Sequence, residues 1–339
     1  MKKLVNGPDN YVAETLEGFQ LAYSHLVRLH EGPWVGRATP KPDARVAIVS
    51  GGGSGHEPLH LGFVGFGMLD AAVPGPVFTA PTPRPVVAAA TAVDSGAGVL
   101  FVVKNYTGDV LNFEVAAELA AERGITTRTV VVADDCGVGG NIPRRGVAGT
   151  VLVEKIAGAA AERGDNLDAV TQVATRAVNN VSTMGVALRP GTVPHLREPT
   201  FTLPEDQVEL GIGIHGEPGR RQVPAANADQ LIAELYRHVR DDLHLQAAER
   251  VIFMVNGMGG TPPAELWLVN RQVHALLAAD KIVAARNLVG TFVTSMEMAG
   301  VSLTLMRIDD ELLALYDAPA LTPSWPVTGW GTQLGPEVP

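Results

Sequence analysis

Nine residues, Gly211-Ile212-Gly213-Ile214-His215-Gly216-Glu217-Pro218-Gly219, place one imidazole among side chains too small to cover it. The glycines leave His215 in an open backbone groove, and Pro218 stops any helix that might carry it. The stretch therefore predicts a strand ending in a turn, with an imidazole free to reach a substrate carbonyl. Gly211, Gly213 and Gly216 also spell the dinucleotide fingerprint G-x-G-x-x-G. That fingerprint needs a helix whose first amides receive pyrophosphate, and Glu217-Pro218-Gly219 continues as a turn instead. The plain alternative is a glycine-rich turn with a half-buried structural histidine.

Two other stretches offer groups for the same chemistry. Ser50-Gly51-Gly52-Gly53-Ser54-Gly55-His56-Glu57-Pro58 follows a predicted strand, where an α/β sheet places its ligand crevice. Its amides can cup oxygen atoms, but no Gly-Lys-Ser/Thr follows, so it is not a Walker-type phosphate loop. His56-Glu57-Pro58-Leu59-His60 matches the zinc-protease pattern H-E-x-x-H. Pro58 and the upstream glycines leave His56 outside any helix, so the two histidines are not expected to converge on a metal. Lys104-Asn105-Tyr106-Thr107-Gly108-Asp109 closes another strand. Asp109 can act as a general base for a hydroxyl, Lys104 can hold an oxygen or phosphate charge, and His56 can relay a proton near neutral pH. The alternative there is a surface Lys104–Asp109 pair around a helix N-cap. Asp134 and Asp135, beside the single Cys136, are read as exposed acidic loop residues, and Cys136 is assigned no redox role. The methionines of Asn256-Gly257-Met258-Gly259-Gly260 and Thr294-Ser295-Met296-Glu297-Met298 read as core filler beside turns.

The elements that must position these groups alternate. Helices are predicted from about Asp9, after Pro83, over Val110 to Arg123 closed by Gly124, over Thr150 to Glu162 and over Leu167 to Val181. Strands are predicted at Val46 to Ser50, Gly98 to Lys104 and Thr127 to Ala133. This is the grammar of a three-layer α/β/α domain, placed at residues 1–188. Pro, Thr and Gly without periodicity from Arg189 to Pro204 suggest a linker. Strands at Val208 to Ile214, Val251 to Val255, Ile282 to Leu288 and Val301 to Arg307, with helices near Ala228 to Arg240 and Pro263 to Leu277, predict a two-layer α/β domain over 189–339.

Composition narrows the partners. The 339 residues are 46% hydrophobic and 18% charged with 37 glycines, a globular and well-buried pattern. A formal net charge of −10 argues against nucleic acid or an anionic membrane surface as partner. The N-terminus lacks a signal-peptide core and no apolar run approaches a membrane span, so a cytoplasmic location is expected, consistent with one cysteine.

Gly-Gly-Gly-Ser-Gly-His-Glu-Pro at 51–58, Lys-Asn-Tyr-Thr-Gly-Asp at 104–109 and Gly-Ile-His-Gly-Glu-Pro-Gly at 213–219 together resemble the substrate-binding subunits of dihydroxyacetone kinases. The resemblance extends from Met1-Lys2-Lys3-Leu4 through Arg144-Arg145-Gly146 and Gly158-Ala159-Ala160 to Asp317-Ala318-Pro319. It implies that His215 binds the substrate ketone covalently as a hemiaminal and that His56 and Asp109 form the acid/base pair. It also implies that Gly53, Ser54, Gly55 and His56 cradle the substrate and that Lys104 contacts it. A covalent bond to a carbonyl would select ketones over polyols such as glycerol. The resemblance further implies a homodimer that holds no nucleotide or metal itself. ADP or ATP with Mg would sit on a partner subunit, recharged by a phosphotransferase-system phosphocarrier or replaced by free ATP, since the chain ends at Pro339 with no room for a nucleotide domain.

Two departures stand out: Asp135 to Ile142 is shorter than the family pattern, and the tail from Thr322 to Pro339 is rich in Trp and Pro. Both bear on the partner surface. A four-carbon ketose such as erythrulose is an alternative substrate. A dihydroxyacetone-binding transcriptional co-regulator without turnover is an alternative role, one that has less need of both His56 and Asp109.

Overall fold

Runs of valine and small apolar residues build the first sheet. The computed structural model describes residues 2–325 except 43, 140, 141 and 197. Its first six strands are β1 (Val27–His30), β2 (Trp34–Arg37), β3 (Ala47–Ser54), β4 (Ala71–Val77), β5 (Val99–Lys104) and β6 (Thr127–Val132), in the order β1-β2-β4-β3-β5-β6. From β4 to β6 the pairing is parallel, and the β1–β2 hairpin closes the β4 edge in antiparallel register. Parallel strands are covered on both faces, which is why Val99 to Val103 is an unbroken apolar run.

After α1 (Tyr11–Ala22), the helices divide between the two faces. On one, Val86, Val87 and Ala90 of α2 (Pro83–Val93) and Phe113, Ala116 and Ala120 of α3 (Thr107–Ala121) pack against Val49, Val73 and Phe101. On the other lie α4 (Thr150–Arg163) and α5 (Leu167–Asn179), against Ile48, Leu100, Val102 and Val132. The N-terminal three-layer arrangement is thus as the sequence predicts.

The second sheet contains β7 (Val181–Arg189), β8 (Gln207–Leu210), β9 (Arg221–Pro224), β10 (Arg250–Gly257), β11 (Val283–Gly290) and β12 (Ala299–Arg307), ordered β11-β10-β12-β7-β8-β9. Only the β10–β11 pair is parallel. Val251, Phe253 and Val255 face α6 (Ala228–Asp242) and α7 (Pro263–Ala279). The alternate residues Ile252 and Met254, with Met306, face inward and join the core built around α4. From Thr150 to Ala161 every residue of α4 is buried, because this helix lies between the two sheets. The short α8 (Asp310–Asp317) packs beside it.

Several elements differ from expectation. Residues 181–189 form a central strand of the second sheet, so we propose the division of the chain near Asn180 rather than at 188/189. Val181, Thr183 and Val186 carry β-branched strand character, but they follow a helix whose stop signal is only Asn179-Asn180, with no Gly or Pro, so the helix pattern runs on into them. Strand β8 stops at Leu210, not Ile214. Strands β1, β2, β4 and β9 and helix α8 are short or broken by Pro and Gly, and give no periodic signal. None of the described helices is long and apolar enough to cross a membrane. Residues 140 and 141 of the 135–142 loop, expected to be shorter than the family pattern, and most of the Trp/Pro-rich tail fall outside the described residues.

Candidate active site

The His215 turn is held from below and from within. Gly211 has a φ of 79°, and a Cβ there would lie 2.3 Å from the Gly137 carbonyl oxygen, so only glycine fits. At Gly213 a Cβ would lie 2.0 Å from a Glu217 carboxylate oxygen. That empty space lets Glu217 fold back under His215, accepting the backbone N–H at 2.9 Å and facing ring Nδ1 at 2.8 Å. Since a carboxylate only accepts, Nδ1 is the ring nitrogen that donates to it, which leaves Nε2 as the nitrogen that in the neutral ring carries the lone pair a nucleophile needs. Burial alone would raise the Glu217 carboxyl. The hydrogen bond from the His215 ring, the ring's charge and two backbone amides reverse this and take it down to about 2.

Arg145 fixes the turn to the first sheet. Its Nη2 donates to the Gly211 carbonyl at 2.7 Å and its Nη1 to that of Pro218 at 3.3 Å, while Asp135 pairs with it at 2.6 Å. Asp134 accepts the Val147 and Gly149 amides, each at 2.7 Å. The expectation of exposed acidic residues at 134 and 135 is therefore wrong: both are buried, one satisfied by amides and one by a guanidinium. Cys136 is buried as well, and burial pushes its thiol up to about 12, far from thiolate chemistry.

His56 comes from the loop after β3 and meets His215 edge-on, ring centres 4.7 Å apart. It stacks on Phe78 at 4.9 Å, and Phe78 and Tyr106 enclose His215 at 5.3 and 4.6 Å. The Thr294 carbonyl lies 2.8 Å from His56 Nδ1, so Nδ1 donates and Nε2 is left as a buried acceptor with no partner among the described residues. Burial, then the charges of His215 and Lys104, push the ring's pKa well below its ordinary value. A neutral imidazole with one free lone pair is a proton acceptor. The second sheet clasps this loop: the Met296 amide donates to the Gly55 carbonyl at 2.9 Å and the Thr294 hydroxyl to that of Glu57 at 2.9 Å.

Asp109 lies in the first turn of α3 but is buried, so it is not the capping residue of a surface pair. Its Oδ1 has no partner among the described residues. Burial raises its carboxyl pKa, with Lys104 and His215 opposing. Lys104 ends β5, fully enclosed, with Nζ 2.7 Å from His60 Nε2. His60 turns its other nitrogen toward Glu154 of α4 at 2.5 Å, while His56 uses Thr294, so the two histidines of the H-E-x-x-H match point to different partners.

Of the predicted residues, His56, Lys104, Asp109 and His215 converge at the junction of the two sheets. The glycine-rich loop of residues 51–58 lies at the carboxyl ends of the parallel strands. Ser54 donates to the Gly75 carbonyl at 2.8 Å, a Cβ on Gly53 would lie 2.6 Å from the Thr79 amide nitrogen, and Gly55 has a φ of 102°. Sequence reading missed Phe78, Arg145, Glu154, Glu217 and Thr294 as site residues. Glu217 and Tyr106 lie inside the quoted motifs and could have been found there. Phe78, Arg145, Glu154 and Thr294 act through long-range contacts that carry no local signal.

A sequence model of the Dak1 domain matches residues 17–324. The chain is 46% identical over 314 residues to a Listeria innocua protein named PTS-dependent dihydroxyacetone kinase 1, dihydroxyacetone-binding subunit DhaK, covering 92% of this chain and 95% of that one. Among solved structures it resembles the dihydroxyacetone kinase operon co-activator DhaQ, with a TM-score of 0.89 at 37% identity, covering 93% and 98%. It also resembles the dihydroxyacetone kinase of C. freundii, with a TM-score of 0.87 at 36% identity, covering 96% of this chain and 60% of that one.

Proposed function

The chain belongs to the Dak1 family of dihydroxyacetone kinases, which are phosphotransferases, and from that premise we propose that it binds dihydroxyacetone and presents it to a nucleotide-carrying partner subunit. The carrying observation is that His215, with Nδ1 engaged by Glu217, lies beside two buried acceptors without a partner among the described residues, His56 Nε2 and Asp109 Oδ1. In this reading Nε2 of His215 attacks the C2 carbonyl. The carbonyl electron pair moves to oxygen, and the proton that Nδ1 yields reaches that oxygen by way of Glu217 and solvent, leaving a neutral hemiaminal with no net proton gained or lost. The anchored ketone then turns a terminal hydroxyl toward Asp109 and His56, which accept its proton as the oxygen attacks a phosphorus held by the partner. The product is dihydroxyacetone phosphate. Gly53, Ser54, Gly55 and Lys104 supply the cradle. In the same reading the chain pairs with a second copy, and the partner carries ADP or ATP with Mg, recharged by a phosphocarrier or exchanged for free ATP.

Crystals soaked in dihydroxyacetone are expected to show continuous density from the His215 ring to C2. An empty site, or a His215→Ala chain that phosphorylates dihydroxyacetone and rejects glycerol as wild type does, would overturn the covalent anchor. Competition with erythrulose in the same transfer assay decides chain length. The likeness to the DhaQ co-activator supports a second reading, ketone binding without turnover. Absence of phosphate transfer with every partner supplied, alongside intact ketone binding, would favour it.

A further inference from the structure

Beneath the substrate loop runs a line of enclosed polar groups of which the mechanism above uses only Lys104. Lys104, His60 and Glu154 are at most 4% exposed, and Ser50 beside them is fully buried. A Cβ on Gly52 would lie 2.2 Å from Lys104 Nζ and 3.2 Å from His60 Nε2, so the line begins directly under the glycine floor. Its protonation pattern follows from its partners. The Ser50 hydroxyl hydrogen goes to the Val102 carbonyl at 2.6 Å, so Ser50 Oγ faces His60 Nδ1, 3.0 Å away, with a lone pair. Glu154 Oε1 faces the same nitrogen. With Glu154 ionised, two acceptors around Nδ1 require it to carry the ring proton, which leaves Nε2 to accept from the Lys104 ammonium.

Burial raises the Glu154 carboxyl to about 8, with the charge of Lys104 opposing, so above that pH four groups act on the ammonium: Asp109 and Glu154 as carboxylates, His60 and His56 as rings that burial and Lys104 keep neutral. Burial lowers the pKa of Lys104, and the two carboxylates oppose it. Asp109 is expected to lose its charge when it takes the substrate proton, whereas Glu154 on the central helix takes no part in the chemistry.

We propose that Glu154 is a positioning residue for the phosphorylation reaction: through the imidazole of His60 it holds Lys104 charged and fixed beneath the substrate loop. The consequence for turnover rests on the kinase reading; the placement of charge does not. Glu154→Gln keeps the volume and removes the charge, and its amide can present either its oxygen or its NH2 to Nδ1.

The test follows the Lys104 side chain by NMR in full-length protein with isotope-labelled lysine. In Glu154→Gln its titration midpoint is expected to fall by about one pH unit or more, while that of Lys155, which bonds to the Leu315 carbonyl instead, stays in place. In the complex with its nucleotide-carrying partner, the alkaline limb of kcat is expected to move to lower pH by a similar amount. An unmoved Lys104 midpoint overturns the inference. So does a wild-type His60 protonated on Nε2 above the pH at which Glu154 ionises, a measurement that needs no variant. A wild-type complex that binds ketone and transfers no phosphate would sink the kinase reading alone, because the Lys104 titration is read without turnover.

Discussion

At the scale of single residues, the site works by fixing which nitrogen of each histidine is free. Glu217 does so for His215, the Thr294 carbonyl for His56 and the Glu154–Ser50 pair for His60. The Glu217 interaction has a stability signature. Its folded-state pKa of about 2 lies below its ordinary value of 4.5, so its contribution is fully present above pH 4.5 and is lost as pH falls through about 2. The stability difference between wild type and Glu217→Gln, measured by denaturant unfolding, should be constant near neutrality and shrink over that window. A difference independent of pH between 5 and 2 would contradict the assigned hydrogen bond. The same substitution should weaken ketone binding about tenfold or more, because an amide can turn its NH2 toward Nδ1 and release the tautomer. Titration calorimetry with dihydroxyacetone reads this. His215, His56, Lys104 and Asp109 were legible in the sequence because each lies in a compact glycine-rich motif. Thr294 and Glu154 were not, since what matters about them is which distant side chain they face.

At the scale of elements, glycines decide how closely backbones approach. On α4, Gly158 packs on the Met68 backbone, where a Cβ would lie 2.3 Å from Met68 Cα. Gly158→Ala adds helix propensity but forces α4 away from the Gly67–Met68 turn, and overpacking should win, with a loss of about 1–3 kcal/mol in denaturant unfolding. An increase in stability would show that the turn yields at little cost. The longer helices and the parallel strands β3, β5 and β6 were readable because their apolar patterns run unbroken, whereas Pro74 and Gly75 interrupt the parallel strand β4. The four-residue strands β1, β2 and β9 were not, because a pattern of two needs more residues than they contain to be distinguished from a loop.

At the scale of the whole molecule, α4 is the shared interior wall of both sheets, and the site spans their junction. The Arg145 clamp and the Met296–Gly55 bond tie the two halves directly. Thermal unfolding should therefore show one transition by probes placed in either sheet. Dihydroxyacetone at about 100 times its dissociation constant should raise stability by about 2.7 kcal/mol in wild type, and by far less in His215→Ala. Two separable transitions would show that the halves fold independently. The sequence by itself determined the fold class, the three motifs and the family, since these depend on residue type and local spacing. Only the tertiary structure decided that the segment 181–189 completes the second sheet, that Asp134 and Asp135 are buried anchors, and that His215 meets His56 at 4.7 Å. Those outcomes depend on which surfaces are enclosed when the two sheets close on one helix, and enclosure is a property of the assembled chain rather than of any stretch within it.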